Sequence, residues 1–298
     1  MSDRKAHLDA LAVSALIGCC FLWGLNQVAA KAALPEIPAL WQAAARSLGG
    51  SLLVWVWARW RGIALFARDG TGPGGLLAGL LFAAEFACIF IGLEYTTASR
   101  MVVFLYLSPF VVALGMPFIA RSERLAWPQL LGLSIAFVAV AWAFAEGFSR
   151  PAAGDRQWIG DALGLLAAAL WGATTLAIRG SRLTSASAEK MLLYQLAISG
   201  VLLALAALAM RTPLPTQLST LAWSALAFQI VIVTFMSYLV WFWLVRSYPA
   251  TRLASFTMLT PIFGLLAGAL LLGEPITTRL LIALVGVTGG IYLVNRKP

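Results

Sequence analysis

The chain has 298 residues, 61% of them hydrophobic and 11% charged, with a net charge of +9, whereas a soluble domain carries roughly 25% charge. Apolar runs of about 20 residues, each able to cross ~30 Å of hydrocarbon, recur from end to end. This composition excludes a soluble enzyme, and it predicts an all-α polytopic membrane protein with no room for a separate soluble domain.

Ten transmembrane helices are predicted in chain order. The first, 10–33, follows a tail holding Arg4, Lys5 and the single histidine, His7. Leu16-Ile17-Gly18-Cys19 resembles a lipoprotein cleavage box, but the apolar run continues through Phe21, Leu22 and Trp23, so cleavage is not expected. Cys19, Cys20 and Cys88 read as small packing residues. Trp23 is followed by Gly24 and, one turn on, by Asn26 and Gln27. Span two, 37–59, carries Gln42 and Arg46. Span three, 74–94, carries Glu85, and span four, 97–119, carries Tyr106 and Pro109. Span five is 127–146. Span six, 160–180, brings a second Leu-Trp-Gly at Leu170-Trp171-Gly172, then Thr174 and Thr175. Spans seven, eight, nine and ten follow at 188–210, 219–246, 250–272 and 277–295, with Tyr238 in the eighth and Pro261 in the ninth.

Basic residues crowd the ends that are cytoplasmic if the first terminus is inside: Arg59, Arg61, Arg68, Arg179, Arg182 and Lys190, against Lys31, Arg100 and Arg150 at outer ends. That is the positive-inside bias, so the positive charge reports topology and not a nucleic-acid partner, and both termini are expected in the cytoplasm. Lys31, Glu123 and Glu274 read as solvated or interfacial.

The chain also repeats. Leu22-Trp23-Gly24 matches Leu170-Trp171-Gly172, Trp41-Gln42 matches Tyr194-Gln195, and 97–110 lies over 249–262, pairing Arg100 with Arg252 and Pro109 with Pro261. Glu123 then pairs with Glu274. The order and spacing predict a duplication, 1–149 and 150–298, with five helices in each half. An odd number of spans inverts the second half, an architecture of secondary transporters with the substrate near the midplane.

These residues resemble the EamA-type family of the drug/metabolite transporter superfamily. The resemblance rests on the Pro in each fourth span (Ser108-Pro109-Phe110, Thr260-Pro261-Ile262), on the Glu after it at 123 and 274, and on Arg46 within span two; it covers nearly the whole chain. One departure is Ala283, where the first half has Gly132. The tryptophan-rich character is most similar to the bacterial aromatic amino acid exporter branch. The resemblance implies alternating access through a central cavity in a bacterial inner membrane, export of aromatic and other neutral amino acids, and no ATP hydrolysis. Efflux of flat organic cations or drugs is the alternative.

Trp23 and Trp171 lie midway along their spans at equivalent places, and read as facing aromatic walls of one cavity or as core fillers beside their glycines. The other tryptophans, Trp241 among them, read as interfacial anchors. Arg46 and Glu85 lie roughly 14 and 17 Å from opposite faces, and both are absent from the second half, where Ser199 and Ser237 stand. They read as a pair, either a packing salt bridge or a functional group in which Glu85 meets a cation or a proton. Pro109 and Pro261 are kinks, fixed or hinging. Asn26, Gln42, Tyr106, Thr175 and Tyr238 are candidate lining residues. Gly75/Gly79, Gly264/Gly268 and Gly286/Gly290 fit close helix contacts. Glu85 is the one carboxylate read at membrane depth, no histidine lies in a span, and no cluster suits a metal; no catalytic residue, cofactor or metal is expected. The expected partners are a small-molecule substrate and the bilayer, with nothing that demands an oligomer.

Overall fold

The structure, a computed structural model, describes residues 9–119, 127–149, 151–247, 257 and 259–295. Helix α1 (Ala10–Ala33) starts at Asp9, whose side chain accepts from the Ala12 N–H. It is followed by α2 (Ala39–Trp60), α3 (Gly72–Tyr95), α4 (Ala98–Leu105), α5 (Ser108–Ile119), α6 (Trp127–Ser149) and α7 (Gln157–Arg179). After a 3₁₀ turn at Arg182–Ser185 come α8 (Ala188–Ala209) and α9 (Thr220–Ala227). A π-helical segment (Phe228–Ser237) leads to α10 (Tyr238–Ser247), α11 (Leu259–Leu272) and α12 (Thr278–Asn295). Six helical stretches among the described residues are long and apolar enough to cross a membrane, with shorter apolar helices beside them. The architecture is all-helical, as expected of a polytopic membrane protein.

Two features depart from uninterrupted spans. The fourth breaks between α4 and α5, because Pro109 has no N–H for the carbonyl one turn back and its ring disfavours helix at the preceding residue. The Leu107 N–H turns back to Phe104 O instead. The eighth contains the ten-residue π segment, whose wider turn no periodicity announced.

The helices interleave. α3 packs against α7 and α8, α2 against α8, α1 against α11, α4 against α11, and α6 against α12. Glycines set several of these approaches. A Cβ on Gly75 would meet the Tyr194 ring and one on Gly79 would meet Ile198, both on α8; Gly286 meets Ala139, and Gly290 meets Gly132 O, on α6. These glycine pairs therefore serve packing within the chain.

Candidate functional site

The glycine after each mid-span tryptophan has a direct cause. A Cβ on Gly24 would lie 2.6 Å from Gly264 N and 2.9 Å from Thr260 O, so α1 rests on the α11 backbone beside Pro261. A Cβ on Gly172 would lie 2.5 Å from the Val111 Cβ and 3.2 Å from Ser108 O, so α7 meets α5 beside Pro109. Gly24 thus approaches the backbone around Pro261 and Gly172 the backbone around Pro109, positions that correspond in the expected duplication.

The indoles differ in surroundings. Trp23 Nε1 donates to Ser237 Oγ at 2.8 Å, and its ring meets Trp241 edge-on at 5.4 Å and Tyr238 at 6.4 Å. Ser237 in turn donates to Val233 O at 2.6 Å inside the π segment. Trp171 is 36% exposed and meets Tyr106 edge-on at 5.9 Å. The two indoles make no ring contact with each other, but Tyr106 lies in the buried core against which Tyr238 packs, so one core adjoins both aromatic clusters. Trp241, expected as an interfacial anchor, is partly buried on α10 and contacts Trp23. Thr175 donates to Trp171 O and Thr174 to Leu170 O, so both hydroxyls are spent on their own helix.

A second group of polar side chains lies on α1, α2 and α3. Arg46 is 1% exposed and Glu85 4%. Neither forms an ion pair among the described residues. The guanidinium lies over the Phe86 ring, 4.4 Å from its centre, and Arg46 Nε and Nη1 and Glu85 Oε2 have no hydrogen-bond partner. The same holds for Asn26 Oδ1, Gln27 Oε1, Gln42 Oε1 and Ser47 Oγ. Gln42 ties α2 to α1 through Nε2 to Ala30 O at 3.3 Å.

The largest buried ionic assembly was not legible in the sequence. Arg100 is 3% exposed and holds Asp161, which is fully buried, through Nε at 3.0 Å and Nη2 at 2.6 Å. It also holds Glu146 through Nη1 at 3.1 Å. Asp161 accepts from Thr96 Oγ1 at 2.6 Å, and Glu146 from Thr277 Oγ1 at 2.7 Å. Glu146 and Asp161 are buried acids that the sequence did not single out. They lie at the facing ends of spans five and six, and the arginine at the start of span four, where an acid facing water and one facing another helix read alike.

Glu274 is no solvated end either. Its carboxylate accepts from the Ala98 N–H at 2.7 Å and the Ser99 N–H at 2.8 Å, capping α4 from across the molecule. An anion at a helix N-terminus satisfies otherwise orphaned donors. Lys31 donates to Thr96 O at 2.7 Å and to Leu93 O. At the opposite ends of the helices, Lys190 holds Asp69 Oδ2 and Ala67 O, each at 2.8 Å. Arg252, Glu123 and His7 lie outside the described residues. Two surface depressions border the 61–72 connection, lined by residues such as Phe66, Arg68 and Tyr194, or Trp55 and Arg59. Neither reaches Trp23, Trp171 or Glu85. No group of His, Cys, Asp and Glu suited to a metal occurs among the described residues.

The sequence pattern of the EamA-like transporter family matches this chain twice, over residues 10–145 and 158–296. The chain belongs to the EamA-like transporter family. Its members are transporters and not enzymes, which agrees with a site built of aromatic rings, one buried cation and one buried carboxylate. The transporter is 31% identical to an uncharacterized transporter, YvbV, of Bacillus subtilis, over 93% of this chain and 88% of the relative. It is 27% identical to an S-adenosylmethionine/S-adenosylhomocysteine transporter of Chlamydia trachomatis, over 88% of this chain and 82% of that one. A solved crystal structure shares its fold, with a TM-score of 0.66 over 95% of both chains at 18% identity.

Proposed function

We propose that this protein is a secondary transporter of a bacterial inner membrane that exports aromatic and other neutral amino acids by alternating access. The observation that carries this reading is the pair of aromatic clusters, Trp23–Tyr238–Trp241 and Tyr106–Trp171, each combining residues from 1–149 and 150–298 and both adjoining one buried core. Flat or aromatic side groups gain about 0.5–1.5 kcal/mol per such ring contact beyond the area they bury. The topology this reading takes is ten spans in two inverted repeats, 1–149 and 150–298, with both termini cytoplasmic. The double family match and the equivalent Gly24 and Gly172 contacts support it.

In that topology the Arg100–Asp161–Glu146 assembly and the Glu274 cap stand at the outer end and tie one half to the other. They are the contacts a carrier breaks to open outward. Asn26, Gln42, Glu85 and Arg46 supply the polar side of the site, and backbone next to Pro109 and Pro261 meets the glycine that follows each tryptophan.

A second reading, a carrier for flat organic cations, is favoured by the buried Glu85 carboxylate next to the Phe82–Phe86–Phe90 rings. S-adenosylmethionine, named for the chlamydial relative, is a sulfonium cation with an α-amino acid end, and so fits either reading. Proteoliposomes holding only this protein decide between them. Labelled phenylalanine, tryptophan and threonine are run beside S-adenosylmethionine and a flat organic cation, with and without a pH gradient. Saturable amino acid flux that falls in Trp23→Ala is the expected result; flux of the cation alone would replace it with the second reading.

A further inference from the structure

Arg46 and Glu85 are both sealed from solvent on adjoining helices, α2 and α3, yet do not pair. An ion removed from water needs a partner of opposite charge and hydrogen bonds for its polar atoms. The chain gives Arg46 a ring face, through Phe86, and leaves its Nε and Nη1 donors unpartnered. It leaves Glu85 Oε2 without a donor. Other buried polar atoms on α1 and α2 are unpartnered as well. Gln42 Oε1, one turn before Arg46, and Asn26 Oδ1 and Gln27 Oε1 on α1 are acceptors without donors.

We propose that Arg46 and Glu85 form a divided head-group site for a zwitterionic α-amino acid moiety, in which Arg46 takes the carboxylate and Glu85 takes the ammonium. The proposal rests on the transport reading above and names what its substrates share. A guanidinium matches a carboxylate in shape and charge, and each such bond is charge-assisted. A zwitterion brings one positive and one negative group, so the occupied site stays neutral overall, whereas a simple cation would leave Arg46 without a counterion. The second half carries Ser199 and Ser237 at the corresponding places, so the chain holds one such site. Side-group preference then belongs to the aromatic clusters and head-group preference to this pair.

The test needs the unaltered protein first. Inhibition of labelled phenylalanine flux in proteoliposomes is measured with phenylalanine, its methyl ester, 3-phenylpropionate and phenethylamine. Each analogue lacking one charge is expected to compete about tenfold or more weakly than phenylalanine, the loss of at least one charged hydrogen bond. Arg46→Gln is then expected to lose the discrimination against the ester and keep that against 3-phenylpropionate, and Glu85→Gln to do the reverse. Phenethylamine or the ester competing as well as phenylalanine overturns the head-group site and leaves amino acid transport standing. Absence of any amino acid flux overturns both. Should either variant fail to fold, the analogue series on the unaltered protein still decides.

Discussion

At the residue scale, the tryptophan–glycine pair shows how one small residue places a large one. Gly24 is not there for backbone freedom, since it sits within a regular helix. It is there because α11 backbone occupies the space a methyl group would take. Gly24→Ala is therefore expected to push α1 off α11 and to destabilise the protein by about 1–3 kcal/mol, the usual cost of overpacking. Gly18, on the same helix, has nothing within 4 Å of a built Cβ, so Gly18→Ala is the matched control and should leave stability unchanged. Thermal unfolding in detergent compares the two; equal melting temperatures for both variants would contradict the close approach.

The element scale is where charges act. Asp161 joins the start of α7 to α4, and Arg100 holds it with little solvent to screen the pair. Removing one member of a buried ion pair costs about 3–5 kcal/mol where the other is left without a counterion, and less here because Arg100 keeps Glu146. Asp161→Asn should accordingly melt earlier, while Asp155→Asn, in the exposed turn before α7, should not. The opposite end offers a titration. The Lys190 ammonium and the Thr71 hydroxyl hold the Asp69 carboxyl well below its usual range. A carboxylate with a lowered folded pKa stabilises the protein above its unfolded pKa, near 4, and loses that contribution as the pH falls toward the folded value. The melting difference between the unaltered protein and Asp69→Asn should therefore be constant above about pH 5 and shrink below about pH 4. A difference that grows on acidification would mean that the carboxylate is not stabilised in this way.

At the scale of the whole molecule, alternating access requires the two halves to part at one end while they hold at the other. In the proposed arrangement Thr96 and Gly160 belong to different halves, and a Cβ on Gly160 would lie 2.7 Å from the Thr96 Cβ and 2.6 Å from Gly92 O. A disulfide needs about 3.5–4.5 Å between Cβ atoms, so Thr96→Cys with Gly160→Cys should cross-link with α7 displaced from α3 by about 1 Å. Oxidation is expected to abolish flux and reduction to restore it, with the unaltered protein, whose cysteines are Cys19, Cys20 and Cys88, unaffected by the same treatment. Full flux with the cross-link formed would show that this end does not open during transport.

Composition and periodicity alone determined the helical membrane class, and the places where helices run, because apolar length and turn-forming breaks are local properties of the chain. The family resemblance was legible for the same reason, being carried by short motifs such as Ser108-Pro109-Phe110 and Thr260-Pro261-Ile262. Arg46 and Glu85 stood out because charge within an apolar run is a local anomaly. Tertiary structure decided what each of these touches. It put Gly24 against Thr260 O, drew Trp241 from an expected interface into the Trp23 cluster, and placed Ser237 under the indole through a π segment that no periodicity encodes. It also turned Glu274, Asp161 and Glu146 from isolated acids into a cap and an ionic assembly. A polar residue near a span end reads the same in sequence whether water or another helix faces it. Only the packing of helices far apart in the chain removes the water and supplies the partner.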